Sequence, residues 1–139
     1  MILLDTNVVS EPMQPQPSHK VLKFLLDRQS STQFISSITL QELYYGVWLQ
    51  FGNAKFGPLM NVIKQTQTKM FKGRIIEFDE TAAEVCGKLQ ATLKRLGRAF
   101  DQADTQIAAI ALSRGFILAT RNVADFQFEG LKLINPWAD

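Results

Sequence analysis

Ile2-Leu3-Leu4-Asp5-Thr6-Asn7 is the stretch that decides the fold class. Three consecutive apolar residues without polar alternation read as a strand buried on both faces, as in a parallel sheet covered by helices. The run stops at a carboxylate followed by two hydrogen-bonding side chains, which suits a turn at the strand's carboxyl end. In open parallel sheets that end is where ligands bind.

Working outward, the pattern repeats. Pro15 and Pro17 mark the loop from Met13 to Ser18, and Lys20 to Arg28 carries helical apolar spacing. Gln33 to Ser36 reads as a second strand. Ser37 or Thr39 can cap a helix from Leu40 to Phe51, whose apolar residues recur at three- and four-residue steps, with Gly52-Asn53 as its stop. Leu59 to Phe71 is a further helical segment. Ile75 to Phe78 reads as a third strand, after which Asp79 caps a helix to Leu96 that Gly97 ends. Asp101 caps the next helix, to Arg114, closed by Gly115. Phe116 to Ala119 and Leu131 to Ile134 are the fourth and fifth strands. Strands alternating with helices predict an α/β fold with a central, mostly parallel five-stranded sheet and right-handed crossovers. The 139 residues suit one domain, 1–139, with no repeat or linker.

Composition excludes several chemistries. One cysteine, Cys86, permits no intrachain disulfide, and it reads as a small buried residue of a helix. With His19 as the sole histidine, a Cys/His zinc site cannot be built, and nothing near His19 suggests a nucleophile elbow. There is no phosphate-cradling glycine loop and no dinucleotide fingerprint. The formal net charge of +2 permits nucleic-acid binding without demanding it. The N-terminus lacks the form of a secretion signal and no run is long and apolar enough to span a bilayer, so a cytoplasmic protein is expected, with no membrane partner.

Carboxylates remain. Asp5 ends the first strand, Glu42 follows the second, and Asn122 and Asp125 follow the fourth. Asp104 lies in the first turn of the helix that precedes the fourth strand, and a helix antiparallel to the sheet brings that turn to the same rim. Acids crowded there repel one another unless a divalent cation neutralises them. Hard cations such as Mg²⁺ take carboxylate oxygens and keep several waters, which phosphodiester hydrolysis requires. Each residue also has a plain structural role: Asp5 as a helix cap, Asp104 opposing a helix dipole, Glu42 on a solvent face, Asp125 in a surface turn. Asp101, Asp79 and Glu80 read as structural. The inference rests on joint placement.

Four segments resemble the PIN-domain family. Leu3-Leu4-Asp5-Thr6-Asn7-Val8-Val9-Ser10 is similar to its opening, and Ile38-Thr39-Leu40-Gln41-Glu42-Leu43-Tyr44-Tyr45-Gly46 to its second segment. Asp104-Thr105-Gln106-Ile107-Ala108-Ala109 resembles the third and Thr120-Arg121-Asn122-Val123-Ala124-Asp125-Phe126 the fourth. The ending Ile134-Asn135-Pro136-Trp137 is similar to that of the VapC and FitB-like plasmid-stability toxins of that family. The resemblance implies a PIN fold, Mg²⁺- or Mn²⁺-dependent endoribonuclease activity on RNA, a toxin role beside a small antitoxin, and a homodimer. By position it makes Asp5, Glu42 and Asp104 the metal-binding acids. The fourth place is open between Asp125 and Asn122, with Asp125 favoured. Thr6, Asn7 and Thr120 are expected to hold the carboxylates or the phosphate, and Arg121 to bind phosphate or stand as an exposed loop residue. Lys94, Arg95 and Arg98 either guide RNA or complement a helix dipole. A metal-dependent DNA nuclease and a non-catalytic binding module are the alternatives. Most of Tyr44, Tyr45, Trp48 and Phe51 are expected in the core. The helices from Val21 to Leu26 and from Leu40 to Phe71 are the expected antitoxin surface, with any exposed aromatic among them docking an antitoxin segment.

Overall fold

The computed structural model describes residues 1–138. Strands β1 (Ile2–Leu4), β2 (Gln33–Ser36), β3 (Ile75–Ile76), β4 (Ile117–Ala119) and β5 (Leu133–Ile134) form one sheet in the order β3-β2-β1-β4-β5. All four pairings are parallel. The helices are α1 (Thr6–Ser10), α2 (His19–Leu26), α3 (Ser37–Trp48), α4 (Phe56–Gln65), α5 (Glu80–Arg95) and α6 (Gln102–Arg114). The expected α/β architecture with five parallel strands is thus observed.

Strand alternation splits the core in two. Leu3 and Leu118 face a cluster built with α5 and α6, including Leu93, Ile107, Ile110 and Phe126. Their neighbours Leu4 and Ala119 face the opposite cluster, with Val8, Val21, Phe24, Leu43, Val47 and Ile63 from α1 to α4. A strand buried on both faces needs apolar residues at successive positions, and the run Ile2-Leu3-Leu4 supplies them. Each fully buried Leu or Ile here contributes about 1.5–3 kcal/mol of burial free energy. Helix α6 is enclosed along most of its length, and Ala108, Ala109 and Ala111 let it pack close to its neighbours.

Several boundaries differ from expectation. Helix α3 begins three residues early because Ser36, at the end of β2, is its cap: Ser36 Oγ accepts from the Thr39 amide at 3.0 Å. It ends at Trp48, ahead of Gly52. Helix α4 starts at Phe56, and Thr66–Met70 continues it as a π-turn. Strand β3 is two residues long instead of four. The aromatic residues of α3 are the clearest correction: Tyr45, Trp48 and Phe51 are 67%, 55% and 71% exposed. Only Thr39, Leu43 and Val47 of α3 are buried, a one-sided i, i+4, i+8 stripe that leaves the other apolar residues outside. Caps at Asp79 and Asp101 and the left-handed Gly97 and Gly115 stand where expected. Cys86 is buried and unbridged, and His19 is exposed. Among the described residues no helix is long and apolar enough to cross a membrane.

Candidate active site

The carboxyl ends of β1, β2 and β4 lie side by side because the three central strands are parallel and in register. Asp5 is the first residue past β1. Its amide still bonds Ala119 O at 2.9 Å, so its backbone is held by the ladder. Its side chain caps α1: Oδ1 accepts from the Thr6 amide at 2.8 Å. Oδ2 accepts from Thr120 Oγ1 at 2.8 Å and from Asn7 Nδ2 at 3.4 Å. Asp5 is 5% exposed, and burial raises its pKa above the ordinary value while these neutral donors pull it back. The cap reading and the site reading of Asp5 are therefore both realised by one carboxylate, through different oxygens.

Glu42 stands in the second turn of α3 at the exposed edge of this rim. Thr6 Oγ1 donates to Glu42 Oε1 at 2.6 Å and lies 3.1 Å from Thr39 Oγ1, tying α1 to α3. Burial, then the charges of Asp5 and Asp101, raise the Glu42 pKa against the Thr6 bond.

Asp104 is the third residue of α6. A carboxylate there ordinarily gains from the helix N-terminus. Here its pKa is pushed up to about 7, first by burial and then by the charges of Asp101, Asp5, Asp125 and Glu42. The helix start thus reaches the strand-end rim, as the antiparallel placement of α6 predicts. Thr105, fully buried, accepts from Gln90 Nε2 at 2.9 Å and anchors this turn to α5.

Past β4, Thr120 is buried; besides donating to Asp5 it accepts from the Asn122 amide at 3.0 Å. The Arg121 amide donates to Asn7 Oδ1 at 3.4 Å, and its guanidinium lies 5.0 Å from the Trp137 ring centroid. Asn122 and Asp125 are both exposed. Asp125 sits in a one-turn 3-10 helix, Val123–Phe126, pinned by the buried Phe126. Of the two, Asp125 has a charge that reaches Asp104. Lys94, Arg95 and Arg98 are exposed, and Arg98 Nη2 donates to Gln127 O at 3.1 Å.

Sequence reasoning passed over Asp101. It is a cap, its Oδ1 accepting from the Asp104 amide at 3.0 Å, but it is also the charged neighbour with the largest effect on Asp104. The signal available was the Asp-x-x-Asp spacing, which places a cap beside a third-position acid. Among the described residues no three His, Cys, Asp or Glu side chains close into a metal-holding group, so the acids form an open rim. Asp5 has only uncharged hydrogen-bond donors, and Asp104 is opposed by acids alone. Such a donor set fits a hard divalent cation that retains much of its water shell, and does not fit a soft metal.

Comparison with known proteins agrees with this geometry. Residues 2–127 match the model of the PIN domain. The chain is similar to the plasmid stability protein StbB of Pseudomonas syringae pv. tomato, 39% identical over 99% of both chains. It is 37% identical to toxin FitB of Neisseria gonorrhoeae over the whole of both, and 34% to VapC ribonuclease Y4jK of Sinorhizobium fredii over 99% of this chain and 98% of that one. Among solved structures, FitAcB from Neisseria gonorrhoeae superposes with a TM-score of 0.91 at 36% identity, covering 99% of each chain. DNA-bound VapBC from Salmonella typhimurium gives 0.79 at 30% identity, covering 99% and 98%.

Proposed function

The chain belongs to the PIN-domain family, and on that premise we propose that it is a toxin endoribonuclease of a type II toxin–antitoxin pair. It acts as one PIN domain in the cytoplasm, hydrolysing RNA phosphodiester bonds with Mg²⁺ or Mn²⁺. The observation that carries the site assignment is Asp104: a half-buried carboxylate whose pKa is raised by four other acids has no cation of the protein's own to balance it.

Asp5 and Asp104 are the chief metal ligands in this reading, with Glu42 completing the shell or orienting the attacking water. Asp125 takes the fourth place, and Asn122 flanks it as a neutral group. A cation bound there supplies positive charge beside the phosphate and lowers the pKa of a bound water. Thr120, Asn7 and the Thr6 amide fix both oxygens of Asp5 before substrate arrives, and Thr6 Oγ1 fixes Glu42. Water attacks phosphorus in line with the leaving 3′ oxygen. Arg121, on the same rim, offers a guanidinium to the charge that develops on phosphate.

The relatives named as toxins, and the neighbours solved as FitAB and VapBC, support a small antitoxin as partner and a homodimer as the working assembly. The test is cleavage of RNA and of single-stranded DNA by purified protein with EDTA, Mg²⁺ or Mn²⁺. Asp5→Ala and Asp104→Ala are expected to lose metal-dependent RNA cleavage and toxicity while keeping the native circular dichroism spectrum. Full activity in both variants removes the proposed site; equal cutting of DNA removes the RNA assignment.

A further inference from the structure

Beside the acidic rim lies a cleft of about 520 Å³, lined by Asn7, Glu11, Gln14, Arg121 and Trp137 among others. That volume is within the ~300–1,000 Å³ of small-ligand pockets. Asn7 forms the wall between cleft and rim: its amide nitrogen reaches Asp5 Oδ2 and its oxygen accepts from the Arg121 amide. A group in the cleft is therefore a near neighbour of a phosphate bound at the rim.

Three features of the cleft belong together. Glu11 follows α1 directly, and its Oε2 is buried with no hydrogen-bond partner. An unpartnered buried carboxylate oxygen costs several-fold more than a paired one, so its retention asks for a donor that arrives later. Arg121 lines the same cleft, yet Glu11 Oε2 accepts nothing from it. The Arg121 guanidinium instead lies over Trp137, leaving an aromatic ring and a cation on one wall and an acceptor on the other.

We propose that this cleft is a nucleobase subsite for the RNA strand next to the scissile phosphate, and that it selects guanine. The inference rests on the ribonuclease reading above. A carboxylate accepts only, so it selects a base edge that presents donors. Guanine offers N1–H and the N2 amino group side by side on its Watson–Crick edge, a pair of parallel donors that adenine, cytosine and uracil lack. Trp137 and the Arg121 plane supply the stacking surface on which single-stranded RNA is read. Arg121 also faces the anionic backbone, and Gln14 adds an amide for the sugar or the base rim. A nucleotide carries both a donor edge and an anionic phosphate, matching a cleft that holds an acid and a base. An arginine or lysine side chain from a protein partner satisfies Glu11 but meets Arg121 as a like charge.

The experiment uses the full chain carrying Trp48→Phe, which leaves Trp137 as the single tryptophan. Titration with GMP, IMP, AMP, CMP and UMP in EDTA is followed by tryptophan fluorescence. GMP is expected to bind at least tenfold tighter than AMP, CMP and UMP, with IMP, which lacks the N2 amino group, in between. Glu11→Gln, with the native circular dichroism spectrum, is expected to bring the five within about threefold. In Mn²⁺, mapped RNA cuts are expected at one fixed position relative to guanine in the wild type, with that bias lost in Glu11→Gln. Should Glu11→Gln fail to fold, the nucleotide ranking in the Glu11 protein decides alone. RNA cleavage without guanine preference in binding or cutting overturns the subsite and leaves the nuclease intact. A guanine ranking in a protein that cuts no RNA keeps the subsite and removes the nuclease. Binding of N-acetyl-arginine amide without binding of GMP assigns the cleft to a protein partner and overturns the proposal.

Discussion

Thr120 Oγ1 donates to Asp5 Oδ2 at 2.8 Å, joining two buried residues that are 115 positions apart in the chain. The bond links the residue past β1 to the residue past β4. It is one of three neutral donors that hold the Asp5 carboxylate charged despite its burial. Thr120→Val keeps the shape and removes the donor. The Asp5 pKa is then expected to rise further, because a bond that favours the charged form is lost while burial stays. Urea unfolding at pH 7 should show a loss of about 1–3 kcal/mol, the cost of leaving a buried charged acceptor short of a donor. The acidic limb of metal-dependent cleavage should move to higher pH. An unmoved pH profile with intact stability contradicts the role given to Thr120.

Asp104 supplies a pH dependence of opposite origin. Its folded pKa, about 7, stands above the ordinary 3.8, so the folded state binds the extra proton. Its contribution to stability is full below about pH 4 and is lost as pH rises through 7. Metal-free protein is therefore expected to melt at a lower temperature at pH 8 than at pH 6, and Asp104→Asn to flatten that decline. Mn²⁺ binds the deprotonated acids, so its stabilisation should grow across the same interval. Calorimetry below pH 7 in buffers of different ionisation enthalpy should show proton release on Mn²⁺ binding. Identical melting profiles for the native chain and Asp104→Asn contradict the shift.

Thr6 makes a separable case because its bond to Glu42 lies at the exposed edge. Thr6→Val should cost less than about 1 kcal/mol in unfolding free energy. The Glu42 pKa rises once the Thr6 bond that lowers it is gone. The expected kinetic result is a fall in kcat with little change in KM, recovered by Thr6→Ser, which restores the hydroxyl. Recovery by Thr6→Ala as well shows that Thr6 acts through packing alone.

The strand ends were readable because a buried parallel strand needs an uninterrupted apolar run, and a polar residue that stops the run marks the site rim. Asp5 and Glu42 follow from that logic. Asp104 needed only the direction of α6. What one dimension hides is coupling through space. Asp101 reads as a cap because Asp before a helix is an N-cap signal, yet in three dimensions its charge is shared with Asp104 and Glu42. Glu11 stood beside a proline loop with nothing in its spacing to mark its unpartnered oxygen. Periodicity also cannot say how wide a covered stripe is. On α3 the core takes Thr39, Leu43 and Val47, so the same spacing that announces a helix puts Trp48 and Phe51 outside.

That outer face leads to the last expectation. Trp48, Phe51 and Phe56 pack ring to ring, with centroids 5.1–5.7 Å apart, where α3 turns into α4. Tyr45 and Leu49 are exposed alongside. A contiguous aromatic surface of this kind marks an interaction site more often than a solvated face. With the toxin reading above, its occupant is an apolar segment of the antitoxin, laid against the α3–α4 hairpin as a helix or extended strand. Phe51 is 71% exposed, so Phe51→Ser should change the unfolding free energy of the isolated chain by no more than about 0.5 kcal/mol. Its RNA cleavage should persist, since Phe51 has no contact with the acidic rim. Antitoxin affinity, measured by calorimetry with the purified cognate partner, should fall at least tenfold. Unchanged antitoxin affinity with a shift from dimer to monomer in sedimentation assigns the same face to a second copy of the toxin instead.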